Sequence, residues 1–447
     1  MDRQNFIKNS SILTLGLSFS KLYSPLLMKD ENVGTNWAGN LAYSAKNIVF
    51  PKTIDELQKE VLKINNGKAL GSRHSFNNVA DTQTTLISTS YLDKIISIDT
   101  KQSLVWIEPG IKYGTLGIYL DSKGFALHNL ASLPHISVAG ACATATHGSG
   151  DGNGNLSTAV QALEIMKADG TIIKLNKNDP EFYGAVVNLG ALGIVTKMAL
   201  SIQPSFQVTQ EVFENLPMSQ LEHNFDAIYK AGYSVSMFTH WIDKNITQVW
   251  VKKRVDAKPT PKVKNFFGAT AATTNLHPIK VNPPINCTDQ MGVPGPWYDR
   301  LPHFKMGFTP SNGAELQSEF FVPRQHAYKA IMAVESLHKI IYPSLYVTEI
   351  RSIAADNFWL SPAYQQDMIA IHFTWKPETD KVMKILPMIE EKLKPFNYRP
   401  HWGKLFTIAP SALQSRYPKF KNFLAMAKKM DPQGKWKNNF LNRNIYG

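Results

Sequence analysis

The segment from Leu130 to Gly150 constrains the fold more than any other part of the chain. It reads Leu-Ala-Ser-Leu-Pro-His-Ile-Ser-Val-Ala-Gly-Ala-Cys-Ala-Thr-Ala-Thr-His-Gly-Ser-Gly, so glycine, alanine and hydroxyl residues dominate it. Residues this small let the backbone approach a large ligand closely and bond its phosphates. The segment contains no G-x-G-x-x-G between a strand and a helix, so a Rossmann nicotinamide site is unsupported. The alternative is a tightly packed turn in a core.

A second segment of the same kind precedes it. The loop Gly71-Ser72-Arg73-His74-Ser75-Phe76 follows the apolar pair Ala69-Leu70. Its glycine and hydroxyl residues offer backbone N–H groups to a phosphate, and Arg73 adds positive charge. The ring of His74 can ligate, transfer a proton or form a covalent link, although a lone loop histidine is more often structural. Two such segments in one region favour a ligand site over two core turns.

The composition excludes several classes of protein. Two cysteines in 447 residues exclude a disulfide-stapled scaffold and a cysteine-rich zinc module. No uncharged apolar run approaches the ~20 residues that span a bilayer, so we expect no stable membrane insertion. The net charge is +13, but the basic residues are scattered, and the densest stretch, Lys252 to Lys264, is broken by prolines and predicts an exposed loop. Nucleic-acid binders concentrate charge on one face, so we expect no nucleic-acid partner.

The N-terminus resembles an export leader. Charged residues precede the apolar segment Ile12 to Phe19, which is too short to span a membrane. A twin-arginine leader would carry arginine where Gln4 stands, and no small-x-small cleavage site follows. We therefore expect residues 1–30 to be a leader or a flexible arm, and the protein to be cytoplasmic or exported to the periplasm.

The order of predicted elements indicates an α+β protein of several parts. Short strands alternate with helices at Thr53 to Asn66 and Thr115 to Ser122. Beyond Pro204 the strands become longer, and a proline-rich stretch, Lys258 to Pro296, predicts a functional loop or linker. We predict a cofactor domain at 31–205, an α+β cap with a mainly antiparallel sheet at 206–399, and a segment at 400–447 that returns to the first domain.

Three polar clusters in the second half could carry chemistry. On a strand, Glu349 and Arg351 point to one face, where they could bind and polarise a hydroxyl or simply pair. His372 and Thr374 share a face in the same way. Lys404 ends the cluster His-Trp-Gly-Lys that follows Pro400. Taken alone, the last two clusters are more typical of a strand end and a surface turn.

Together these motifs resemble the vanillyl-alcohol-oxidase superfamily of FAD enzymes, and within it the alditol (xylitol, sorbitol) oxidases, from about Asn36 to the C-terminus. Gly-Ser-Arg-His-Ser-Phe-Asn at 71–77 resembles the family's flavinylation loop. The runs 131–140, 144–148 and 188–196 resemble segments that hold the flavin, its pyrophosphate and its adenine half. Gly-Val-Pro-Gly-Pro-Trp at 292–297 and Arg-Leu-Pro-His-Phe at 300–304 are similar to sugar-alcohol and aldonolactone oxidases.

The resemblance implies a two-part FAD-binding domain of the PCMH type and assigns residues to the site. It places FAD against Gly71, Ser72, Arg73, His74, Ser75, Phe76, Ser132, Ser137, Gly140, Thr144, Ala145, Thr146, His147, Ile194 and Val195. It places the polyol against Ser132, Glu349, Arg351, Thr374 and Lys404. It makes Glu349, Arg351, His372 and Lys404 catalytic, and it implies no metal.

The activity implied is oxidation of a terminal hydroxyl of a xylitol- or sorbitol-like polyol to the aldose, with O2 reduced to H2O2. Arg351 and Lys404 would stabilise the developing alkoxide, while Glu349 would accept the proton or hold Arg351. FAD would be bound covalently at His74. Some relatives add a cysteine link, but Ser132 and His135 occupy that stretch and Cys142 lies deeper, so we expect one link.

Three alternatives stay open. The nearest is an aldonolactone oxidase or dehydrogenase on the same fold. A non-catalytic flavin- or sugar-binding protein comes from another class, and a basic nucleic-acid binder depends on net charge alone. We expect the protein to be a monomer whose partners are a small polyol and O2.

Overall fold

The computed structural model describes residues 33–255, 265–307 and 314–447, and the predicted leader at 1–30 lies outside them. No helix within these ranges is long and apolar enough to cross a membrane. The described chain is α+β, as predicted, with four β-sheets and helices packed against them.

The first described helix, α1, forms where apolar residues recur at helical spacing. It spans Ile54–Lys63, and the side chain of Thr53 caps it by accepting a hydrogen bond from a backbone N–H of the first turn. Leu57 and Val61 are fully buried in a cluster that includes Trp436. The helix therefore packs against residues from the other end of the chain.

A small parallel sheet lies beside α1, in the order β1–β3–β2. Its strands are β1 (Asn47–Val49), β2 (Gly67–Leu70) and β3 (Thr85–Ser88). Because Gly71 follows β2 directly, this sheet fixes where the 71–76 loop begins.

A five-stranded antiparallel sheet completes the first half, in the order β4–β5–β9–β7–β8. Its strands are β4 (Ile95–Asp99), β5 (Leu104–Ile107), β7 (Val160–Met166), β8 (Ile172–Asn176) and β9 (Ile194–Ser201). The turn between β7 and β8 contains Asp169 and Gly170, and Gly170 has φ +78°, which glycine adopts without strain. Strands β7 and β8 thus form a hairpin around an Asp-Gly turn.

Short elements connect these sheets. The two-stranded antiparallel sheet consists of β6 (Phe125–Ala126) and β10 (Gln203–Pro204). The helices of this half are α2 (Tyr113–Ser122), α3 (Val138–Ala143) and α4 (Phe182–Ala185). The α3 helix lies inside the small-residue segment, and Cys142 within it is fully buried. Burial raises the pKa of the Cys142 thiol to about 12, so the thiol stays neutral.

The second half is built on a ten-stranded sheet in which all pairs are antiparallel. In spatial order its path is β14 (Asn265–Phe266), β15 (Ala269–Ala271), β11 (Gln207–Pro217), β13 (Asn245–Arg254), β12 (Ser234–Thr239), β18 (Leu345–Ile353), β19 (Met368–Trp375), β17 (Leu316–Pro323) and β20 (Arg399–Pro400), and β16 (Gly295–Pro296) pairs with β11. The mainly antiparallel cap sheet is as predicted.

Helices cover this sheet through their apolar residues. They are α5 (Gln220–Lys230), α6 (Trp297–Arg300), α7 (Ala327–Glu335), α8 (His338–Ile341) and α9 (Thr379–Leu393). On α9, Val382, Leu386, Ile389 and Leu393 are buried at helical spacing.

The C-terminal segment contacts the first half of the molecule. Its helices are α10 (Pro410–Ser415), α11 (Phe420–Met430) and α12 (Asn439–Leu441). Lys435 donates hydrogen bonds to the carbonyls of Val61 and Ala168. The five-stranded sheet ends at Ser201, and the ten-stranded sheet begins at Gln207 and includes β20. The domain bounds given above stay predictions.

The expectation of an exposed loop starting at Lys252 was wrong for that residue. Lys252 lies in the central strand β13 and is 1% exposed. The prolines that indicated a loop occur in 256–264, outside the described residues. Strand β13 ends in Lys252, Lys253 and Arg254, and the sequence does not show which of these three side chains is buried.

Candidate active site

One cleft joins the two segments that the sequence singled out with the polar clusters of the cap sheet. About 1830 Å³ of space in and at the mouth of this cleft is free of protein atoms, open solvent included. The 71–76 loop, α3 and the turn before β9 line one end, and β17, β18, β19 and Lys404 line the other. A long ligand in this cleft would therefore reach from the small-residue segments to the charged side chains.

The 71–76 loop is held in place from two sides. The N–H of Ser137 donates to the hydroxyl of Ser72 (2.9 Å), and the N–H of Ser72 donates to the hydroxyl of Ser137 (3.3 Å). The N–H of Phe76 donates to the carbonyl of Gly403 (2.7 Å). Arg73 has φ +63°, in the left-handed region. The loop is thus tied both to α3 and to the distant C-terminal segment.

His74 faces the cleft with one unused nitrogen. Its ring stacks on Trp37 with 5.3 Å between ring centres, and Nδ1 donates to the carbonyl of Ser72 (2.6 Å). Nε2 is buried and has no hydrogen-bond partner among the described residues. Burial lowers the pKa of His74 to about 3, so the imidazole stays neutral. A neutral imidazole with a free ring nitrogen can form a bond to a ligand.

The glycines of the cleft leave room that side chains would remove. A Cβ on Gly71 would lie 2.6 Å from the hydroxyl of Ser137, and one on Gly140 would lie 2.8 Å from the same atom. Of the residues assigned to FAD from sequence, all line the cleft except Ala145, which is buried in the core at φ +53°. The small-residue segment therefore forms a wall of the cleft.

Glu319, which the sequence analysis missed, lies at the centre of the charged end. It is fully buried on β17, and its Oε1 lies 2.7 Å from Nη2 of Arg351 and 3.1 Å from Nε2 of His147. Its Oε2 lies 2.6 Å from Nζ of Lys404. Burial alone would raise the pKa of Glu319, but Lys404, His147 and Arg351 hold that pKa well below its usual range. One carboxylate thus anchors both cations.

The strand register brings the predicted residues together. His372 on β19 lies directly opposite Glu319 on β17 and Glu349 on β18. Arg351 shares a face with Glu349, as predicted, but its Nε is 3.6 Å from Oε1 of Glu349. The shorter contact, 2.7 Å, is to Glu319. Glu319 rather than Glu349 therefore holds Arg351, which leaves Glu349 available for another role.

His372 connects Lys404 to Thr374. Nζ of Lys404 donates to Nδ1 of His372 (2.8 Å), so the ring proton is on Nε2, which donates to the hydroxyl of Thr374 (3.1 Å). Burial and then Lys404 lower the pKa of His372 to about 4, which keeps it neutral. Burial also lowers the pKa of Lys404, whereas the negative charge of Glu319 raises it. The hydroxyl of Thr374 accepts from His372, so its own proton is free to point into the cleft.

Ser132 completes the polar end of the cleft. Its hydroxyl is 3.5 Å from Nη1 of Arg351, and its carbonyl accepts from the N–H of His303 (3.2 Å). Thus all five residues predicted to contact substrate, and His372, line one end of one cleft. His147, assigned to FAD, also contacts Glu319.

The residues missed from sequence share burial rather than a sequence motif. Glu319 lies in β17 and Lys252 in β13, two strands whose residues are mostly buried, and His303 follows a proline in the run 300–304. A charge in such a strand needs a buried partner, but a single sequence does not name it. A charged residue with buried neighbours on its strand is therefore a candidate site residue.

The cleft fits a flavin dinucleotide on observations of this chain alone. It is long, its glycines admit close backbone approach, and His74 keeps a buried ring nitrogen without a partner. No group of three or more histidine, cysteine, aspartate or glutamate side chains in the described ranges is placed to hold a metal ion.

Sequence comparisons identify related proteins. Residues 45–176 match the family model of the FAD binding domain, and residues 313–444 match that of D-arabinono-1,4-lactone oxidase. An alditol oxidase from Streptomyces sp. is 44% identical over 410 residues, which are 91% of this chain and 97% of the relative. An L-gulono-1,4-lactone dehydrogenase from Mycobacterium tuberculosis is 27% identical over 429 residues, 92% of this chain and 98% of the relative.

Solved structures share the fold. Cholesterol oxidase from B. sterolicum superposes with a TM-score of 0.75 at 14% identity, covering 92% of this chain and 96% of that one. A carbohydrate oxidase from Microdochium nivale, in complex with a substrate analogue, gives a TM-score of 0.71 at 14% identity, covering 93% and 95%. The FAD-binding architecture predicted from the motifs is confirmed.

Proposed function

The chain belongs to the alditol oxidase family of FAD-dependent oxidoreductases, and from that membership we propose that it oxidises a terminal hydroxyl of a sugar alcohol such as xylitol or sorbitol to the aldose. The lactone enzymes among its relatives are less similar, at 27% identity for the dehydrogenase against 44% for the alditol oxidase. Oxygen is the proposed electron acceptor, and hydrogen peroxide the second product.

One observation carries the proposal. The cleft that fits FAD ends at Glu349, Arg351 and Lys404, three charged side chains that are largely buried. Burying charges costs free energy unless they are paired, and a protein that only binds a neutral polyol does not need them. Charges that converge where an alcohol would meet the flavin are what oxidation of that alcohol requires.

The protein's own residues have separate tasks in this reaction. FAD, when bound, supplies the hydride acceptor for the carbinol carbon. Arg351 and Lys404 stabilise the negative charge that develops on the substrate oxygen, since fixed cations in a dry site act most strongly where charge appears. Glu349 accepts the hydroxyl proton. Ser132 and Thr374 hydrogen-bond outer hydroxyls and hold the polyol so that the reacting carbon is in place.

We propose further that FAD is bound covalently, through His74 alone. The unpartnered Nε2 of His74 and its place in the Gly-Ser-Arg-His-Ser-Phe loop support this. Cys142 is absent from the cleft wall, and its thiol is neutral and buried, which argues against a second link. After acid precipitation the yellow colour should stay with the protein and be lost in His74→Ala. Free flavin in the wild-type supernatant would contradict the covalent link but not the oxidase activity.

The activity is tested by anaerobic reduction of the purified yellow protein. Xylitol, sorbitol and an aldonolactone are mixed separately with it, and loss of the flavin absorbance is followed. We expect xylitol and sorbitol to bleach the flavin faster than the lactone and, with oxygen, to yield equimolar hydrogen peroxide. Fast bleaching by the lactone alone would make the protein an aldonolactone oxidase or dehydrogenase. No bleaching by any of the three would contradict the proposed function.

A further inference from the structure

A buried lysine stands behind the acidic residue of the site. Lys252 on β13 is 1% exposed, and its Nζ donates to the carbonyls of Leu301 (2.6 Å) and Pro302 (2.9 Å). Its third hydrogen bond goes to Nδ1 of His303 (3.2 Å). All three protons of the ammonium group are thereby used. Burying an ammonium group costs free energy, so we expect Lys252 to have a role beyond packing.

His303 connects Lys252 to Glu349 through hydrogen bonds at its two ring nitrogens. Since Nδ1 accepts from Lys252, the ring proton lies on Nε2, which donates to Oε1 of Glu349 (2.8 Å). Trp250 and Phe238 pack edge-on against the ring, with 5.1 and 5.5 Å between ring centres. The ring can neither turn over nor change its tautomer without breaking one of the two bonds.

Glu349 is left with one free oxygen. Oε1 takes the bond from His303 and the long contact from Arg351, while Oε2 has no hydrogen-bond partner among the described residues. Glu349 lines the cleft. Burial alone would raise the pKa of Glu349, but Arg351 and His303 hold that pKa well below its usual range. The carboxylate therefore stays ionised.

We propose that Lys252 and His303 are positioning residues that hold Glu349 with its Oε2 directed at the hydroxyl to be oxidised. Neither needs to touch the substrate. Lys252 fixes the tautomer of His303, and His303 fixes Oε1 of Glu349. The proposal rests on the proposed function, because it names the group that receives the hydroxyl proton.

The same pattern occurs a second time in the cleft. Lys404 donates to Nδ1 of His372, whose Nε2 donates to Thr374, as Lys252 does through His303 to Glu349. In each case a lysine sets the tautomer of a buried histidine, and the histidine orients one side chain of the substrate end. Two lysine–histidine pairs thus flank the polyol site.

The other charged groups near this chain of bonds are few in the described residues. Arg351 on β18 and His372 on β19 face Glu349, and Arg300 on α6 lies near Lys252. The nearby thiol of Cys287 is neutral, because burial raises its pKa to about 12. Burial lowers the pKa of His303 to about 4 and that of Lys252 to about 7. His303 is therefore neutral above about pH 4, and Lys252 keeps its third proton below about pH 7, so all of the bonds described here are made between these two values.

The kinetic test uses the holoenzyme and three variants. His303→Phe keeps the ring packed against Trp250 and Phe238 but removes both nitrogens. His303→Gln restores one donor and one acceptor at a similar spacing. His240→Phe is the matched control: His240 follows β12 in the same sheet and bonds Thr247, but it does not line the cleft.

We expect His303→Phe to slow anaerobic flavin reduction by xylitol about a hundredfold, the effect of misplacing a reacting group by about 1 Å. The acid limb of its pH–rate profile should move to higher pH, because Glu349 loses a donor that favours its ionised form. His303→Gln should recover most of the rate, and His240→Phe should keep the wild-type profile. A merely structural histidine would lower the melting temperature without moving the acid limb, and that result overturns the proposal.

A second readout does not depend on turnover. In the 15N spectrum of the oxidised holoenzyme, the His303 resonances, identified by their loss in His303→Gln, should show a protonated Nε2 and an unprotonated Nδ1. In Lys252→Met both tautomers should appear. If wild-type His303 already shows both, the positioning role is wrong. If the tautomer is as expected but xylitol reduces nothing, the proposed function fails and the hydrogen-bonded arrangement stands. Should His303→Phe not fold, Lys252→Met is measured by both readouts with the same criteria.

Discussion

Replacing Glu319 with glutamine is the most informative single change outside the residues that face the substrate. The change keeps the volume of the side chain and removes its charge. The carboxylate now accepts from Arg351 through Oε1 and from Lys404 through Oε2, at 2.7 and 2.6 Å. An amide has one acceptor oxygen and one NH2 group, so one of the two cations must face a donor instead of an acceptor.

The expected loss follows from that geometry. A hydrogen bond to a charged group contributes about 1.5 to 3 kcal/mol, and leaving a buried charge without its partner costs about 3 to 5 kcal/mol of stability. If about 2 to 3 kcal/mol of this stabilisation is also lost from the transition state, the rate of flavin reduction falls about 30- to 150-fold. The pKa of Lys404, which burial lowers and Glu319 raises, should fall further. The alkaline limb of the pH–rate profile should therefore move to lower pH.

The assay is anaerobic stopped-flow reduction of the flavin by xylitol across pH, with thermal melting of the same samples. Glu390→Gln is the control, since Glu390 is a buried carboxylate that accepts from the N–H and the hydroxyl of Thr407 (2.6 and 2.7 Å) away from the cleft. It should lose stability and keep its rate. If Glu319→Gln melts earlier but reduces flavin at the wild-type rate with an unchanged alkaline limb, Glu319 serves stability alone.

Three further outcomes follow from burial and charge. Cys142→Ala should keep covalent flavin and activity, measured by absorbance after acid precipitation, and loss of bound flavin would mean that the thiol takes part in the link. Burial lowers the pKa of His303 and His372 to about 4, from an ordinary ~6.5, so the unfolded chain binds more protons than the folded chain below ~6.5. The melting temperature should therefore fall as the pH drops from about 6.5 toward 4. A melting temperature that stays constant over that interval would contradict the assignment of neutral histidines. Binding to DNA should be weak and vanish near physiological salt, since the basic residues are dispersed, and persistence in a salt titration would overturn that expectation.

Local pattern was sufficient for much of the fold. The helices predicted at Thr53 to Asn66 and Thr115 to Ser122 form as Ile54–Lys63 and Tyr113–Ser122, since hydrophobic period and adjacent breakers define them locally. Glu349 and Arg351 could be placed on one face for the same reason, because a strand repeats every two residues. Helix α11 (Phe420–Met430) was not predicted, although Phe420, Phe423, Ala427 and Met430 are buried at helical spacing.

What local pattern could not supply is pairing between strands. Glu319 is placed beside His372 by the register of β17 on β19, and no feature of either strand alone fixes that register. Lys252 donates a hydrogen bond to His303, which lies 51 residues further along the chain. It also donates to the carbonyls of Leu301 and Pro302, which directly precede His303. Lys404 could be assigned to the site only by resemblance, because its approach depends on contacts of the C-terminal segment with the 71–76 loop.

The measurement that tests the polyol site most directly is the rate at which xylitol reduces the flavin in Lys404→Met. Methionine preserves much of the side-chain length and removes the cation that contacts Glu319 and His372. Lys429→Met, at an exposed ion pair with Glu181, is the control. We expect Lys404→Met to be folded and yellow, with reduction about a hundredfold slower or more, the effect of removing one charge-stabilising donor. Reduction at the wild-type rate, with only a lower melting temperature, would show that the charged cluster is structural and that the proposed site is wrong.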